Sequence, residues 1–437
     1  MYGLPQAGKL ANDRLQKFLE PHGYCPTNVT AGLWKHKTRP IAFALVVDDF
    51  TIKYTNKDDA DHLLTTLEKL YVCSTDWDAK RYCGLNLDWD YKARTCKISM
   101  PGYVERALQR FQHAAPSQPE HSPHAWQKPI YGAKTQYAPP DDISTPLDAA
   151  DTKRVQEILG TFLYYARAVD SSMLVALGTL ATQQSKGTRA TMIALTQLLN
   201  YAATHPDASI LFVASDMCLH VSSDASYLSV PKARSRASGY HYLSNRPLDP
   251  STPPLPTDPD PPANGAIHIY CQILKEVLSS ASESELAALF HNGKEACPLR
   301  ICLEEHGHPQ PPTPIQTDNS TAAGIANESV KQKRSKAIDM RFYWIRDRVR
   351  QGQFLVYWKK GILNKADYFT KHHPTSHHRA IRSSYFHSPN DCSRNYFECL
   401  QDADDVEATP MSNSITFADP IATKSACSEG VLISTSP

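Results

Sequence analysis

The chain has 437 residues, 41% of them hydrophobic, enough to bury more than one core and to form two or three domains. Its 46 Lys and Arg against 45 Asp and Glu leave a net charge of +1, which excludes a uniformly basic nucleic-acid binder and confines any such surface to a local patch. Eleven cysteines with neither a CxxC pair nor zinc-ligand spacing argue against a disulfide framework, and no apolar run reaches membrane-spanning length, so a cytoplasmic or nuclear protein away from membranes is expected.

Residues 1 to about 115 alternate helical and strand-like patterns. "KLANDRLQKFLEPHGY" predicts a helix, "AGLWKH" a strand, "KDDADHLLTTLEKLY" a helix, "RYCGLNLDWDY" and "TCKISM" strands, and "GYVERALQRFQHA" a helix. Within this region "FALVVDDFTIKY" sets Asp48 and Asp49 between two apolar runs. Asp is a common turn residue, so a hairpin accounts for the pair, but a tight hairpin can also project a carboxylate towards a divalent cation. Residues 116–147, rich in Pro, Gln, His and Ser, read as a linker, and 148–208 as a helical block with core-forming apolar stripes.

From about 209 the pattern turns to strands, then to alternating helix and strand up to 385, which predicts a mixed sheet flanked by helices. The Pro-rich stretch at 245–265 is expected to loop out, and the polar residues 386–437 to form a tail without regular structure. The fold class expected for the whole is α+β to α/β, in several domains.

Four acids stand at telling places in the 209–385 segment. Asp224 lies in an early strand, Glu285 near the start of a helix, Asp318 at the end of a strand and Asp367 at the opening of the last helix. Each alone is explained by an Asx turn, a helix dipole or an N-cap. Together, on one rim of a sheet, they make an anionic pocket that calls for cations. Two Mg²⁺ or Mn²⁺ ions roughly 4 Å apart can drive phosphodiester hydrolysis without a nucleophilic side chain.

Between the third and fourth acids, residues 331–350 carry eight Lys or Arg against two Asp, interleaved with Phe342, Tyr343 and Trp344. A solvated amphipathic helix explains part of this pattern. A basic surplus beside an acidic pocket also suits phosphate-backbone contacts, with Lys331, Lys333, Arg334, Lys336, Arg341 and Arg346 as the candidates.

The order "SSDASYLS", "SSASESELAAL", "QTDNSTAAGIANE", "RSKAIDMRFYWIRDRV" and "NKADYFTK" resembles the ribonuclease H domain of copia-type LTR retrotransposon Pol polyproteins. The resemblance implies a ribonuclease H-like mixed sheet and cleavage of RNA in RNA:DNA hybrids, with Asp224, Glu285, Asp318 and Asp367 as catalytic metal ligands. Glu283 competes with Glu285, and the family pattern of Glu followed by Leu and two small residues favours Glu285. Many cellular ribonucleases H place a histidine before the last aspartate, whereas here His372 and His373 follow Asp367.

"MYGLPQAG" and "FALVVDDF" resemble the reverse transcriptase palm of the same elements, with later residues similar to the start of the thumb. The resemblance implies that Asp48 binds metal, that Asp49 shapes the site and that Gln6 lies near the incoming nucleotide. The family's other palm aspartate lies upstream of the "YGLPQAG" segment, so polymerase activity from this chain is expected to be poor. The 148–208 block would be the connection between the two activities. Implied partners are an RNA:DNA hybrid or template-primer, with a second copy or upstream Pol segments, in the cytoplasm (as a virus-like particle) or the nucleus. The alternative is a non-catalytic relic that only binds nucleic acid.

Overall fold

The computed structural model describes residues 6–126, 142–247, 249, 251–262, 264–330 and 339–387, together with the backbone of 429–436. Contacts divide the chain into two units, one built on residues 1–89 and joined by the strand 429–436, the other on 90–304 and 308–399.

The first unit is led by the helix Ala7–Leu19 and a sheet in which Tyr24–Pro26, Leu33–His36, Ile41–Val46 and Asp49–Tyr54 pair antiparallel in chain order. Alternation drives this arrangement. Ile41 and Phe43 on one strand and Phe50, Ile52 and Tyr54 on the next point to a core shared with Leu15, Leu19 and Leu63, the last from the helix Lys57–Glu68. Sequence pattern misses the strand Val72–Asp76, whose residues are mostly exposed, with Cys73 packed against the core. It also misses Glu429–Ser436, which lies in the expected tail yet pairs antiparallel with both Asp49–Tyr54 and Val72–Asp76. "RYCGLNLDWDY" is a hairpin rather than one strand, because Cys83 and Gly84 both take positive φ and reverse the chain.

The second unit is organised around five strands, here taken in chain order: Cys218–Val230, Arg234–Ser244, Ala266–Ile273, Thr313–Thr317 and Phe354–Trp358. Their spatial order is third, second, first, fourth, fifth. The first three pair antiparallel and the last two join in parallel, giving the mixed sheet expected from sequence. The helix Ala281–Glu305 buries Leu286 and Leu289 against Leu219, Val221 and Ile315, and Phe342, Ile345 and Phe354 extend this core. The fold class, mixed α/β with flanking helices, is as expected.

The helical block consists of Ala149–Ala168, Leu174–Ala181 and Arg189–Thr204, and it belongs to this second unit. Thr188 caps the last of these in a capping box with Thr191. The Pro-rich insertion does not simply loop out. Lys359 donates from Nζ to the Asp258 carbonyl at 2.9 Å and pairs with Asp260, while Asn264 donates to the carbonyls of Val213 and Leu243. Prolines deny the segment a ladder, and side chains tie it down instead. None of the eight cysteines among the described residues forms a disulfide.

Candidate metal centre

Asp224 sits mid-strand, opposite Ser238 in the antiparallel register, and is buried. Three residues supply the frame around it. The Asn292 amide donates to the Ser223 hydroxyl at 2.9 Å and to the Ser238 carbonyl at 2.7 Å, and the Asn364 amide donates to the Ser223 carbonyl at 2.8 Å. Ser226 donates to the Thr370 carbonyl at 2.7 Å, so the segment bearing Asp367 is fastened along the strand bearing Asp224.

Glu285 lies in the second turn of the helix Ala281–Glu305, its side chain buried. One carboxylate oxygen accepts from the Ala225 amide at 3.2 Å and the other from the Thr317 hydroxyl at 3.4 Å. Glu283 points elsewhere. It accepts from the amide and hydroxyl of Ser279 and from the Asp339 amide, so it secures the helix start and the chain leading to residues 340–350. The choice of Glu285 over Glu283 therefore has a geometric basis: one glutamate is used up structurally and the other faces Asp224.

Asp318 follows the strand Thr313–Thr317, and its carbonyl accepts from the Trp358 indole at 2.7 Å. It does not cap the next helix. Asn319 does so through the Ala322 amide. A Cβ on Gly361 would come within 2.5 Å of the Asp318 carboxylate, so a glycine there gives that side chain its room. Asp367 opens a single 3-10 turn, Asp367–Phe369, and its carboxylate pairs with Lys371 at 2.6 Å.

One ligand atom each from Asp224, Glu285 and Asp318 lies within 4.8 Å of the others. Among the described residues this is the group of three acids that comes so close, and Asp367 is not part of it. Burial and the neighbouring charges of Asp367 and Asp318 push Asp224 up to about 8. Burial and then Asp224 hold Glu285 well above the usual carboxylate range, and burial and Asp367 raise Asp318. Carboxylates forced together in this way favour either protons or a cation. An all-oxygen donor set of this kind suits a hard divalent ion.

The remaining candidates are placed differently. Asp48 occupies the two-residue turn between Ile41–Val46 and Asp49–Tyr54, and Asp49 starts the second strand opposite Val46. Val47 in that turn has φ 56°, a left-handed conformation that β-branched residues rarely adopt. Gln6 is exposed at the start of the helix Ala7–Leu19. Lys331, Lys333, Arg334 and Lys336 lie outside the described residues.

The basic helix expected over this region is shorter in the structure, a 3-10 turn at Met340–Tyr343 followed by Trp344–Arg350. Arg341 pairs with Glu276 at 2.9 Å and with Asp339, while Arg346 bonds Glu328 at 3.0 Å. Phe342 is buried and Trp344 packs on the core, so the aromatic interleaving serves packing. Sequence reasoning passed over Lys371, Asn292, Asn364 and Gly361. Of these only Lys371 left a signal, a basic residue four positions after the last acid.

No protein-family model matches the chain. The chain is 23% identical over 376 residues to the retrovirus-related Pol polyprotein from transposon TNT 1-94 of Nicotiana tabacum. The alignment takes in 85% of this chain and 26% of that protein, so the chain spans about a quarter of its relative's length. The copia-type Pol resemblance drawn from the motifs is borne out by this relative. Similar solved structures include the N-terminal RNase H domain of Rv2228c from Mycobacterium tuberculosis, solved as a fusion with maltose-binding protein. It is 11% identical over 35% of this chain and 91% of that one, with a TM-score of 0.24. RNase H1 from Halobacterium salinarum is 11% identical over 35% and 94%, with a TM-score of 0.22. The RNase H domain of PFV is 14% identical over 33% and 79%, also with a TM-score of 0.22.

Proposed function

We propose that the second unit is a divalent-metal-dependent nuclease of ribonuclease H type that cuts the RNA strand of RNA:DNA hybrids. The observation that carries this reading is the convergence of Asp224, Glu285 and Asp318, from a strand, a helix and a strand end, on one point. Asp224, Glu285 and Asp318 would hold the metal, and Asp367 would extend the donor set. A pair of Mg²⁺ or Mn²⁺ ions bound there supplies activation of the attacking water and charge neutralisation at the leaving oxygen.

The protein's own residues do the rest. Ala225 and Thr317 aim Glu285 by donating to its two oxygens, and Asn292 and Asn364 fix the strand around Asp224. With its carboxyl pushed up to about 8, Asp224 holds a proton at neutral pH until a cation displaces it, which makes cation binding proton-linked. Arg341 and Arg346, by exchanging their acidic partners for phosphates, and Lys331, Lys333, Arg334 and Lys336 would meet the phosphate backbone. The first unit is the counterpart of a reverse transcriptase palm, with Asp48 as a metal ligand, Asp49 shaping the hairpin and Gln6 at the nucleotide side.

The test is cleavage of an end-labelled RNA:DNA hybrid by the purified chain with Mg²⁺, beside Asp318→Asn, with primer extension followed in parallel. Cutting that disappears in the variant supports the reading. A folded protein that binds hybrid and leaves it whole would leave a binding function only.

A further inference from the structure

Asp367 differs from the other three acids in one respect: it already has a cation. The Lys371 ammonium lies 2.6 Å from its carboxylate, one helical step along the chain. The backbone between them is held, since Thr370 donates from its hydroxyl to the Asp367 carbonyl and its own carbonyl accepts from Ser226. Lys371 is therefore carried beside the pocket on a four-carbon stem, its side chain a little under half exposed. Its charge also reaches Asp224 and Asp318, lowering both against the forces that raise them. Asp367, its partner, is not one of the three-acid group.

We propose that Lys371 is a built-in competitor for the metal position that Asp367 would share with Asp224. A cation entering there must displace the ammonium, whereas a cation held by Asp224, Glu285 and Asp318 need not. The two positions then load in order, and the released ammonium stays at the pocket mouth where a phosphate would lie. This rests on the metal-centre reading above and adds to it a residue that sets when the second position fills. Lys371 is a positioning residue in this role, because it acts through Asp367.

Titration of the full-length chain with MnCl2, read by electron paramagnetic resonance of free Mn²⁺, tests this without any cleavage assay. Lys371→Gln is expected to tighten the weaker Mn²⁺ site by roughly two- to fivefold and to leave the stronger site unchanged, a range set by the modest strength of an exposed ion pair. Lys371→Arg, which keeps the charge, is expected to match the wild type. Unchanged affinities in Lys371→Gln, or equal tightening in Lys371→Arg, would overturn the competitor role while leaving the metal centre intact. If neither wild type nor Lys371→Gln takes up Mn²⁺, the metal-centre reading fails and the competitor role fails with it.

Discussion

Glu283 and Glu285 are two residues apart and identical in chemistry, and only the family pattern could choose between them in the sequence. Their surroundings separate them sharply. Glu285→Gln removes a carboxyl held up by burial and by Asp224, so the metal-free protein should gain up to about 1 kcal/mol while losing Mn²⁺ uptake. Glu283→Ala strips a buried acceptor from three donors and should cost about 2 kcal/mol with Mn²⁺ affinity largely kept. Thermal melts and Mn²⁺ titration of the two variants would reverse this assignment if they gave the opposite pattern. The same groups set a pH dependence. Asp224, raised to about 8, contributes stability that is full below about pH 4 and lost as pH rises through 8. The buried His220 and His378 and the half-buried His205 and His372, each lowered to about 4 by desolvation, act in the other direction. Their contribution is full above about pH 6.5 and lost as pH falls towards 4. More histidines than acids titrate below pH 6.5, so metal-free protein should be most stable near that value and Mg²⁺ should flatten the alkaline decline. Melting curves from pH 5 to 8.5 with and without Mg²⁺ measure this, and a metal-free melting temperature that keeps climbing through pH 8 would contradict it.

At the scale of elements, alternation and helical spacing made most strands and helices legible, including the strand that carries Asp224 and the hairpin at Asp48. What pattern could not show has specific causes. Proline removes a helical N–H, yet the helix containing Glu285 runs through Pro298 to Glu305. Arg300 accounts for the continuation by donating to the Pro311 carbonyl and the Thr313 hydroxyl, contacts that local sequence does not reveal. The last expected helix shrinks to one 3-10 turn because Ser226, Ser238 and Asn364 bind its backbone from outside. Close packing of the helix Ala281–Glu305 on the sheet depends on Gly239, where any Cβ would run into the Asn292 side chain. Gly239→Ala should therefore cost about 3 kcal/mol in denaturant unfolding and weaken Mn²⁺ binding, because Asn292 also holds Ser223 and Ser238. An alanine variant with wild-type stability would mean that the helix can step back from the sheet freely.

For the molecule as a whole, the second unit contains all four acids and the groups that aim them, and it extends well beyond the five-stranded sheet. Asp170, in the helical block, is fully buried and paired at 2.7 Å with Arg382, 212 residues later. Ser172 and Tyr201 complete the arrangement around the guanidinium. No periodicity could have announced a pair so far apart, and the sequence reading treated the block as a connector with its own core. The buried pair makes the block part of what the sheet needs, because either charge left alone in the interior is costly. Asp170→Ala should destabilise by about 3–5 kcal/mol, and it should lower hybrid cleavage through loss of folded protein and not through metal affinity. A fragment of residues 90–399, which keeps the pair, is expected to fold and bind Mn²⁺ as the full chain does, whereas a fragment of 209–385, cut at the sequence-expected boundaries, loses both Asp170 and its surroundings and should be markedly less stable. Calorimetry of the two fragments decides the matter. Equal stability would show that the sheet stands without the helices, and that Asp170 and Arg382 serve only to hold the block in place.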